Sequence, residues 1–261
     1  DGLTWKRPNL GIVEINGSRA NNIVNIFGTD GGTVFIDPSA PSSERYKLIA
    51  EMDFPKEVLD DYVRRRPKEW DPKVERKSDG TAKGMCGAVS PDGIHWTQFR
   101  DPMVIEITDT QLTAYYDLRL RKYVAYTRTW AAGERSARVS PGGKRTWGSS
   151  RRSIGRSESA NFREFPLHDT MLEPGPDLLP TDTLYTNGKT AMPGAPDHHL
   201  LFPTIWHTFN DSTSIAVASS RNGKNWHFLP GSPAFRSGLF GAFDGGCVFA
   251  HPNLLELSDG R

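Results

Sequence analysis

Short runs of alternating hydrophobic and polar residues, separated by turn residues, recur along this chain. The run at residues 30–35 returns almost unchanged at residues 244–249, and weaker versions begin at Asp109 and Asp182. A carboxylate followed by a β-prone run therefore occurs four times. Self-similarity at this spacing predicts an array of equivalent structural units.

Tight turns recur in step with these runs. Asp92-Gly93 and Asn222-Gly223 each lie a few residues before a tryptophan. Such dipeptides favour β-hairpins because the turn needs positive φ. A further β-prone run lies between each acidic start and its turn, at residues 45–50, 122–127 and 199–202. Each unit is thus predicted to hold four antiparallel strands, which is typical of a β-propeller blade.

The predicted fold is all-β: one β-propeller domain of four-stranded antiparallel blades. The blades are expected at residues 30–99, 109–165 and 182–228, with an incomplete blade at 244–261 and the end of a preceding blade at 1–29. Adding the missing strands gives about five blades, so we expect the chain to be a segment of a longer propeller. A β-sandwich is the alternative, but a motif repeated in phase four times favours the propeller.

Two insertions interrupt the repeats. Residues 55–67 begin with proline, carry acids early and arginines late, and are predicted to form a short helix. Residues 128–156 carry eight cations against the single acid Glu134. One interpretation is an exposed flexible loop. The other is a cationic rim that attracts a carboxylated or sulfated substrate, with Trp130 and Trp147 stacking on sugar rings.

Composition narrows the function classes. The formal charge of +1 gives no global field for nucleic acid, and no apolar run is long enough to span a membrane. Cys86 and Cys247 fit no metal-ligand or redox spacing and are expected to be buried free thiols in strands. We therefore expect no required cofactor and no catalytic metal.

The aligned aspartates are the candidate catalytic residues. The first strand of each blade lines the axial channel, so Asp30, Asp109, Asp182 and Asp244 are expected to cluster there. Crowded carboxyl groups have pKa values that are driven apart. A protonated acid beside an ionised one can cleave a glycosidic bond. The alternative is that these aspartates only cap turns or bind a structural cation such as Ca²⁺ near the axis.

The hairpin from Ser90 to Trp96 resembles the blade hairpin of five-bladed propeller glycoside hydrolases, the arabinanase, invertase and levansucrase superfamily that includes families 32 and 43. The resemblance implies three catalytic carboxylates from different inner strands, and the matching positions are the four aspartates. It also implies a secreted or periplasmic enzyme that degrades a plant or algal poly- or oligosaccharide.

The chain departs from that family pattern. It has no Asn-Asp-Pro-Asn-Gly motif of the invertase type, and no glutamate begins an inner strand, whereas family 43-like enzymes usually donate the proton from a glutamate. The substitutes considered for the proton donor are Glu106, Glu173, His198, His199, His207 and His251.

Six residues are expected to bind a carbohydrate substrate, and the arginines would suit an anionic carbohydrate. The six residues are Arg128, Trp130, His198, His207, Trp206 and His251. Asp37 and Asp117 lie at the far ends of their strands and are expected to cap turns instead. Two other functions stay open: a non-catalytic glycan-binding propeller, and a phosphorylase whose phosphate subsite would include Arg128.

Overall fold

The computed structural model describes residues 4–26, 28–72, 74–109, 111–131, 138–139, 145–146 and 151–254. The first four-stranded sheet is antiparallel, and its strands follow one another in chain order. These strands are β1 (Asp30–Ile36), β2 (Tyr46–Phe54), β3 (Ala82–Ser90) and β4 (Thr97–Gln98). Between β2 and β3 the predicted helix is confirmed as α1, Lys56–Arg65, which buries Leu59 and Tyr62.

The second sheet repeats this plan. Its strands are β5 (Thr113–Asp117) and β6 (Lys122–Ala131), then, after a two-stranded hairpin of β7 (Arg138–Val139) and β8 (Arg145–Thr146), β9 (Arg151–Ser159) and β10 (Asp169–Leu172). The strand β6 pairs with β9 over nine residues, from Tyr123↔Ser159 to Ala131↔Arg151. The hairpin therefore belongs to the insertion within one blade.

The third group of strands is divided into two four-stranded sheets. The strands are β11 (Asp182–Thr186), β12 (Thr190–Met192), β13 (Ala195–Leu201), β14 (Thr204–His207), β15 (Ser212–Ile215), β16 (Ala218–Ser220), β17 (His227–Phe228) and β18 (Phe235–Arg236). Their orders are β11-β14-β15-β18 and β12-β13-β16-β17.

The strands are interrupted at two positions where the sheets divide. Pro203, which has no N–H to donate, separates β13 from β14, and Gly188 separates β11 from β12 with φ of 52°. A Cβ at Gly188 would lie 2.7 Å from the carbonyl oxygen of Phe202. The two sheets thus continue each other along the chain and span residues 182–236, whereas the third blade is predicted at residues 182–228.

The cores lie between successive sheets. One cluster joins the first sheet to the second, with Ile49 and Met85 packed against Ala114 and Phe165. A second cluster joins the second sheet to the third group, with Val124 and Ile154 packed against Leu184 and Ile205. Such face-to-face packing of four-stranded sheets is what the propeller prediction requires.

The end of the described chain differs from the sequence-based prediction. Among the described residues after Arg236, the structure has no strand, and Asp244 lies in a series of turns instead of beginning an inner strand. Backbone hydrogen bonds close these turns, from Gly245 N–H to the Ala242 oxygen and from Gly238 N–H to the Asp244 oxygen. Cys247 is consequently exposed, and the prediction of a buried thiol there is wrong, whereas Cys86 is buried. None of the helices in the described ranges is long and apolar enough to cross a membrane.

Candidate functional site

A cavity of 460 Å³ lies where the first sheet, the second sheet and the segment after α1 meet. This size falls within the range of roughly 300–1,000 Å³ that is usual for ligand pockets. Its wall consists of Glu51, Val74, Glu75, Arg76, Lys77, Lys83, Ile107, Asp109, Trp130 and Arg152. We call it the acidic–aromatic cavity, because carboxylates, cations and a tryptophan share one wall.

Glu51 anchors this cavity. Its side chain is 2% exposed, on β2, where its backbone pairs with Asp30 of β1. One carboxylate oxygen binds Lys83 Nζ at 2.5 Å, and the other accepts hydrogen bonds from the Thr108 hydroxyl at 3.0 Å and the Asp109 N–H at 2.6 Å. These donors satisfy both oxygens of the buried carboxylate. Glu51 therefore fixes the connection that presents Asp109.

Asp109 sits in a constrained backbone position. Its φ is 45°, in the left-handed region that residues other than glycine rarely adopt. Its carboxylate pairs with Arg128, whose side chain is 1% exposed while that of Asp109 is 42% exposed. Arg128 also donates to the Tyr185 carbonyl oxygen at 3.1 Å and lies over the Tyr185 ring. Asp109 is thus held rigidly and still reaches solvent.

Asp30 joins the same group of charges. The hydrogen bond that Lys83 donates to Glu51 raises the pKa of Lys83, and the negative charges of Asp109 and Asp30 act in the same direction. Asp30 itself is exposed, and none of the described residues donates a hydrogen bond to its carboxylate. Asp109 thus lines the cavity and donates its N–H to Glu51, whereas Asp30 pairs with Glu51 along the strands and does not belong to the cavity wall.

Asp182 makes contacts of its own. It is 3% exposed and, like Asp30, is not among the residues that line the cavity. One oxygen accepts from the Leu179 N–H at 3.2 Å, and the other lies 3.0 Å from His207 Nδ1. His207 Nε2 lies 2.9 Å from the Ser214 hydroxyl, and Ser214 is 1% exposed. Because both histidine nitrogens are engaged in this enclosed chain, Asp182 and His207 order the turn and the strand ends.

Asp244, the fourth predicted aspartate, does not line the cavity either. A Cβ at Gly238 would lie 2.3 Å from its carboxylate oxygen, so the side chain packs back onto its own turn. Within the described part of the chain, no group of three or more His, Cys, Asp or Glu side chains could hold a metal ion.

The predicted carbohydrate-binding residues divide in the same way. Trp130 lines the cavity, and Trp206 lies beside it, with its ring 5.6 Å from that of Tyr185 and its Nε1 donating to Asp211. His198 and His251 are exposed and do not belong to the cavity wall. Trp147, predicted to stack on sugars, lies outside the described residues.

The alternative proton donors also lie away from the cavity. Glu106 is buried and binds His168 through both the ring Nδ1 and the backbone N–H. Glu173 is exposed in the segment after β10, and His199 is buried against Tyr115. None of these side chains lines the acidic–aromatic cavity.

The two turn-capping predictions are confirmed. Asp37 accepts from the N–H and hydroxyl of Ser39, and Asp117 accepts from the N–H groups of Arg119 and Leu120. These caps keep both aspartates away from the cavity.

Sequence reasoning missed Glu51 and Lys83. One sequence feature points to Glu51: it follows the apolar run 48–50 in a predicted strand, and a carboxylate buried there needs a partner. Its partners Lys83 and Thr108 lie 32 and 57 positions away, so the sequence alone could not identify them.

A second cavity, of 340 Å³, lies between β5, β12 and β13. Lys189 lines it, is 3% exposed, and donates from Nζ to the Thr190 carbonyl oxygen at 2.6 Å. Among the described residues it forms no ion pair, and its Nζ lies 4.6 Å from the centroid of the Tyr115 ring. Burial lowers the pKa of Lys189 to about 7, against the opposing attraction of Asp117. Burial likewise lowers the pKa of the neighbouring His199 to about 4.

Comparison with known proteins establishes the fold. No protein-family model matches the sequence, and no curated protein is significantly similar to it. Zg3597, a family 117 glycoside hydrolase produced by the marine bacterium Zobellia galactanivorans, superposes with a TM-score of 0.52 at 12% identity, over 90% of this chain and 63% of that one. This similarity and the four-stranded sheets confirm the predicted all-β propeller class.

Two further solved structures are similar at lower TM-scores. Sucrose-6-phosphate hydrolase from Lactobacillus gasseri gives a TM-score of 0.45 at 12% identity, over 77% of this chain and 33% of that chain. The Bombyx mori family 32 β-fructofuranosidase BmSUC1 gives 0.46 at 12% identity, over 77% and 34%. The present chain thus spans between a third and two thirds of the length of these solved structures.

Proposed function

We propose that this protein hydrolyses glycosidic bonds of a poly- or oligosaccharide and that the acidic–aromatic cavity is its active site. The observation that carries the proposal is the position of the buried Glu51, which contacts Asp109 and the exposed Lys83 on the cavity wall beside Trp130 and pairs along the strands with Asp30. Paired carboxyl groups beside an aromatic wall are what glycoside hydrolysis requires. A plant or algal substrate and a secreted or periplasmic enzyme are part of the same proposal, and their support is the family resemblance alone.

Each carboxyl group has a different role in this proposal. Asp30 is exposed and has no donor among the described residues. Its carboxylate either accepts a proton from the water that attacks the anomeric carbon, or attacks that carbon itself to form a glycosyl ester that water then hydrolyses. Asp109 is paired with Arg128 and stabilises the positive charge that develops on the sugar ring. The carbon–oxygen bond to the leaving sugar then breaks, and the leaving oxygen takes up a proton.

Glu75 is the proton donor in this scheme. The wall carries three carboxyl groups: Glu51, which is bound to Lys83, Asp109, which is bound to Arg128, and Glu75. Glu75 lies exposed on the segment that closes the cavity. This position also satisfies the need for a glutamate donor, which no inner strand supplies.

Glu75→Gln is expected to lower kcat/KM on natural glycans by about 10²- to 10⁴-fold, because an amide cannot donate the proton. Aryl glycosides whose leaving groups need no protonation should be cleaved by the variant at close to the wild-type rate. The measurement is kcat/KM across a series of aryl leaving groups. Glu57→Gln on the exposed face of α1 is the control, and an equal loss for every leaving group would refute the donor role.

A screen for released reducing ends tests the function itself. The wild-type chain is incubated with a panel of plant and algal polysaccharides, in parallel with Asp30→Asn, and hydrolysis is expected without added phosphate. Binding of a glycan without any turnover would favour the non-catalytic propeller. Turnover only in the presence of phosphate would identify a phosphorylase.

A further inference from the structure

We propose that Arg152 forms an oxyanion subsite in the acidic–aromatic cavity and binds a carboxylate or sulfate group carried by the sugar substrate. The inference rests on the proposed function and deepens it, because it names the substrate class as an acidic glycan. Carboxylate and sulfate share the chemistry that a guanidinium recognises, namely negatively charged oxygens that accept hydrogen bonds.

Aromatic rings hold Arg152 in place. Its guanidinium carbon lies 5.7 Å from the centroid of the Trp130 ring, 5.0 Å from that of Tyr185 and 4.7 Å from that of Trp206. Guanidinium groups stack on aromatic faces and keep their N–H edges for planar acceptors. The side chain is therefore preorganised on the wall, and little conformational entropy remains to be lost when an anion binds.

The other cations of the cavity wall each have a carboxylate partner within the protein. These pairs are Lys83 with Glu51 at 2.5 Å, Arg76 with Asp60 at 2.5 Å and Lys77 with Asp53 at 2.6 Å. Arg152 differs, because none of the described residues gives it an ion pair or accepts a hydrogen bond from it, and its Nε is enclosed without a partner. The wall thus holds a cation that the described protein does not neutralise.

The surroundings make this positive charge costly. Burial lowers the pKa of Arg152, and the nearby charge of Arg128 lowers it further. A bound anion would relieve both effects, and the partly buried setting makes the attraction stronger than it would be on an open surface.

The same arrangement orients the substrate. Glu51, Glu75 and Asp109 place negative charge on other parts of the wall, so an acidic sugar is most stable with its charged group at Arg152. Binding at that position sets which sugar ring faces the reacting carboxylates.

The test compares matched pairs of oligosaccharides that differ only in charge. One arm uses uronic-acid oligosaccharides with their methyl esters, and the other uses sulfated oligosaccharides with their desulfated forms. Binding is measured by calorimetry and turnover by released reducing ends, for wild type, Arg152→Gln and the charge-matched control Arg163→Gln. Arg163 pairs with Glu44 and does not belong to the cavity wall.

Arg152→Gln is expected to weaken binding of the acidic member of one pair by about 10- to 100-fold, as expected for loss of a charge-assisted contact. Its neutral counterpart should change by less than about threefold, and Arg163→Gln should match wild type. The arm that responds identifies carboxylate or sulfate as the group bound. Equal binding of charged and neutral members, unaffected by Arg152→Gln, would overturn the subsite and leave the glycosidase proposal standing. Absence of any binding or turnover across both arms would overturn both.

Discussion

Asp30→Asn is expected to lower kcat/KM by about 10²- to 10⁴-fold, because an amide neither accepts the proton of water nor attacks the sugar. The melting temperature should barely change. Asp30 is exposed, and no described residue donates to its carboxylate, so its replacement removes no stabilising contact. Initial rates of reducing-end release and a thermal melt of the same sample provide the two readings.

Asp177→Asn is the matched control, since Asp177 is also exposed but lies between β10 and β11, outside the β1–β2 pair in which Asp30 faces Glu51. It should retain wild-type activity. In the Asp30→Ala variant, added azide should restore part of the turnover, because the small anion can occupy the vacated position. Full activity of Asp30→Asn would exclude Asp30 from the reaction, and a large fall in melting temperature would show that Asp30 is structural.

Lys189→Met is expected to stabilise the protein at pH 7 by an amount on the order of 4 kcal/mol, an upper estimate from the lowered pKa. Burial lowers the pKa of Lys189 from 10.5 to about 7 in the folded chain. Between these values the unfolded chain binds a proton that the folded chain lacks, so stability rises with pH from about 7 to about 10.5. Methionine has a similar length and no charge to bury.

Urea unfolding of wild type and Lys189→Met at pH 7 and pH 10 measures this effect. The variant should be the more stable at pH 7, and the difference should shrink towards pH 10. The measurements stay at pH 7 and above so that His199 does not titrate. Its pKa is lowered from 6.5 to about 4 in the folded chain, so His199 reduces the stability only below about pH 6.5. Lys6→Met, at an exposed position, is the control. A difference that does not vary with pH would contradict the account of Lys189.

Local chemistry made much of the fold predictable. Asp92-Gly93 and Asn222-Gly223 close turns in which the side-chain oxygens of Ser90 and Ser220 accept N–H groups at 2.9 Å, and these turns precede Trp96 and Trp226 as expected. The helix after Pro55 and the caps at Asp37 and Asp117 follow equally local rules. The division of the third blade was not predicted, because it depends on the approach of Gly188 to Phe202 in the folded chain.

The candidate site was predictable only in part. Asp30 and Asp182 begin their strands as the repeat predicts, whereas Asp109 lies before β5, which begins at Thr113. The carboxylate of Asp182 is turned to Leu179 and His207. Residues at equivalent positions of a repeat need not point in the same direction. The carboxylate of Asp182 is turned by its local partners, a backbone N–H of the turn and a histidine. Glu51 and Arg152 acquire their significance from partners distant in sequence, Thr108 and Trp206, and so became evident only in the folded structure.

Affinity labelling tests the location of the active site most directly. An epoxyalkyl glycoside of a sugar that the protein cleaves would form an ester with a carboxylate beside the bound ring, and peptide mapping by mass spectrometry would identify it. We predict an ester on Asp30, Asp109 or Glu75, formed together with the loss of activity and prevented by excess substrate. An ester on Asp182 or Asp244 under the same protection would contradict the assignment of the acidic–aromatic cavity.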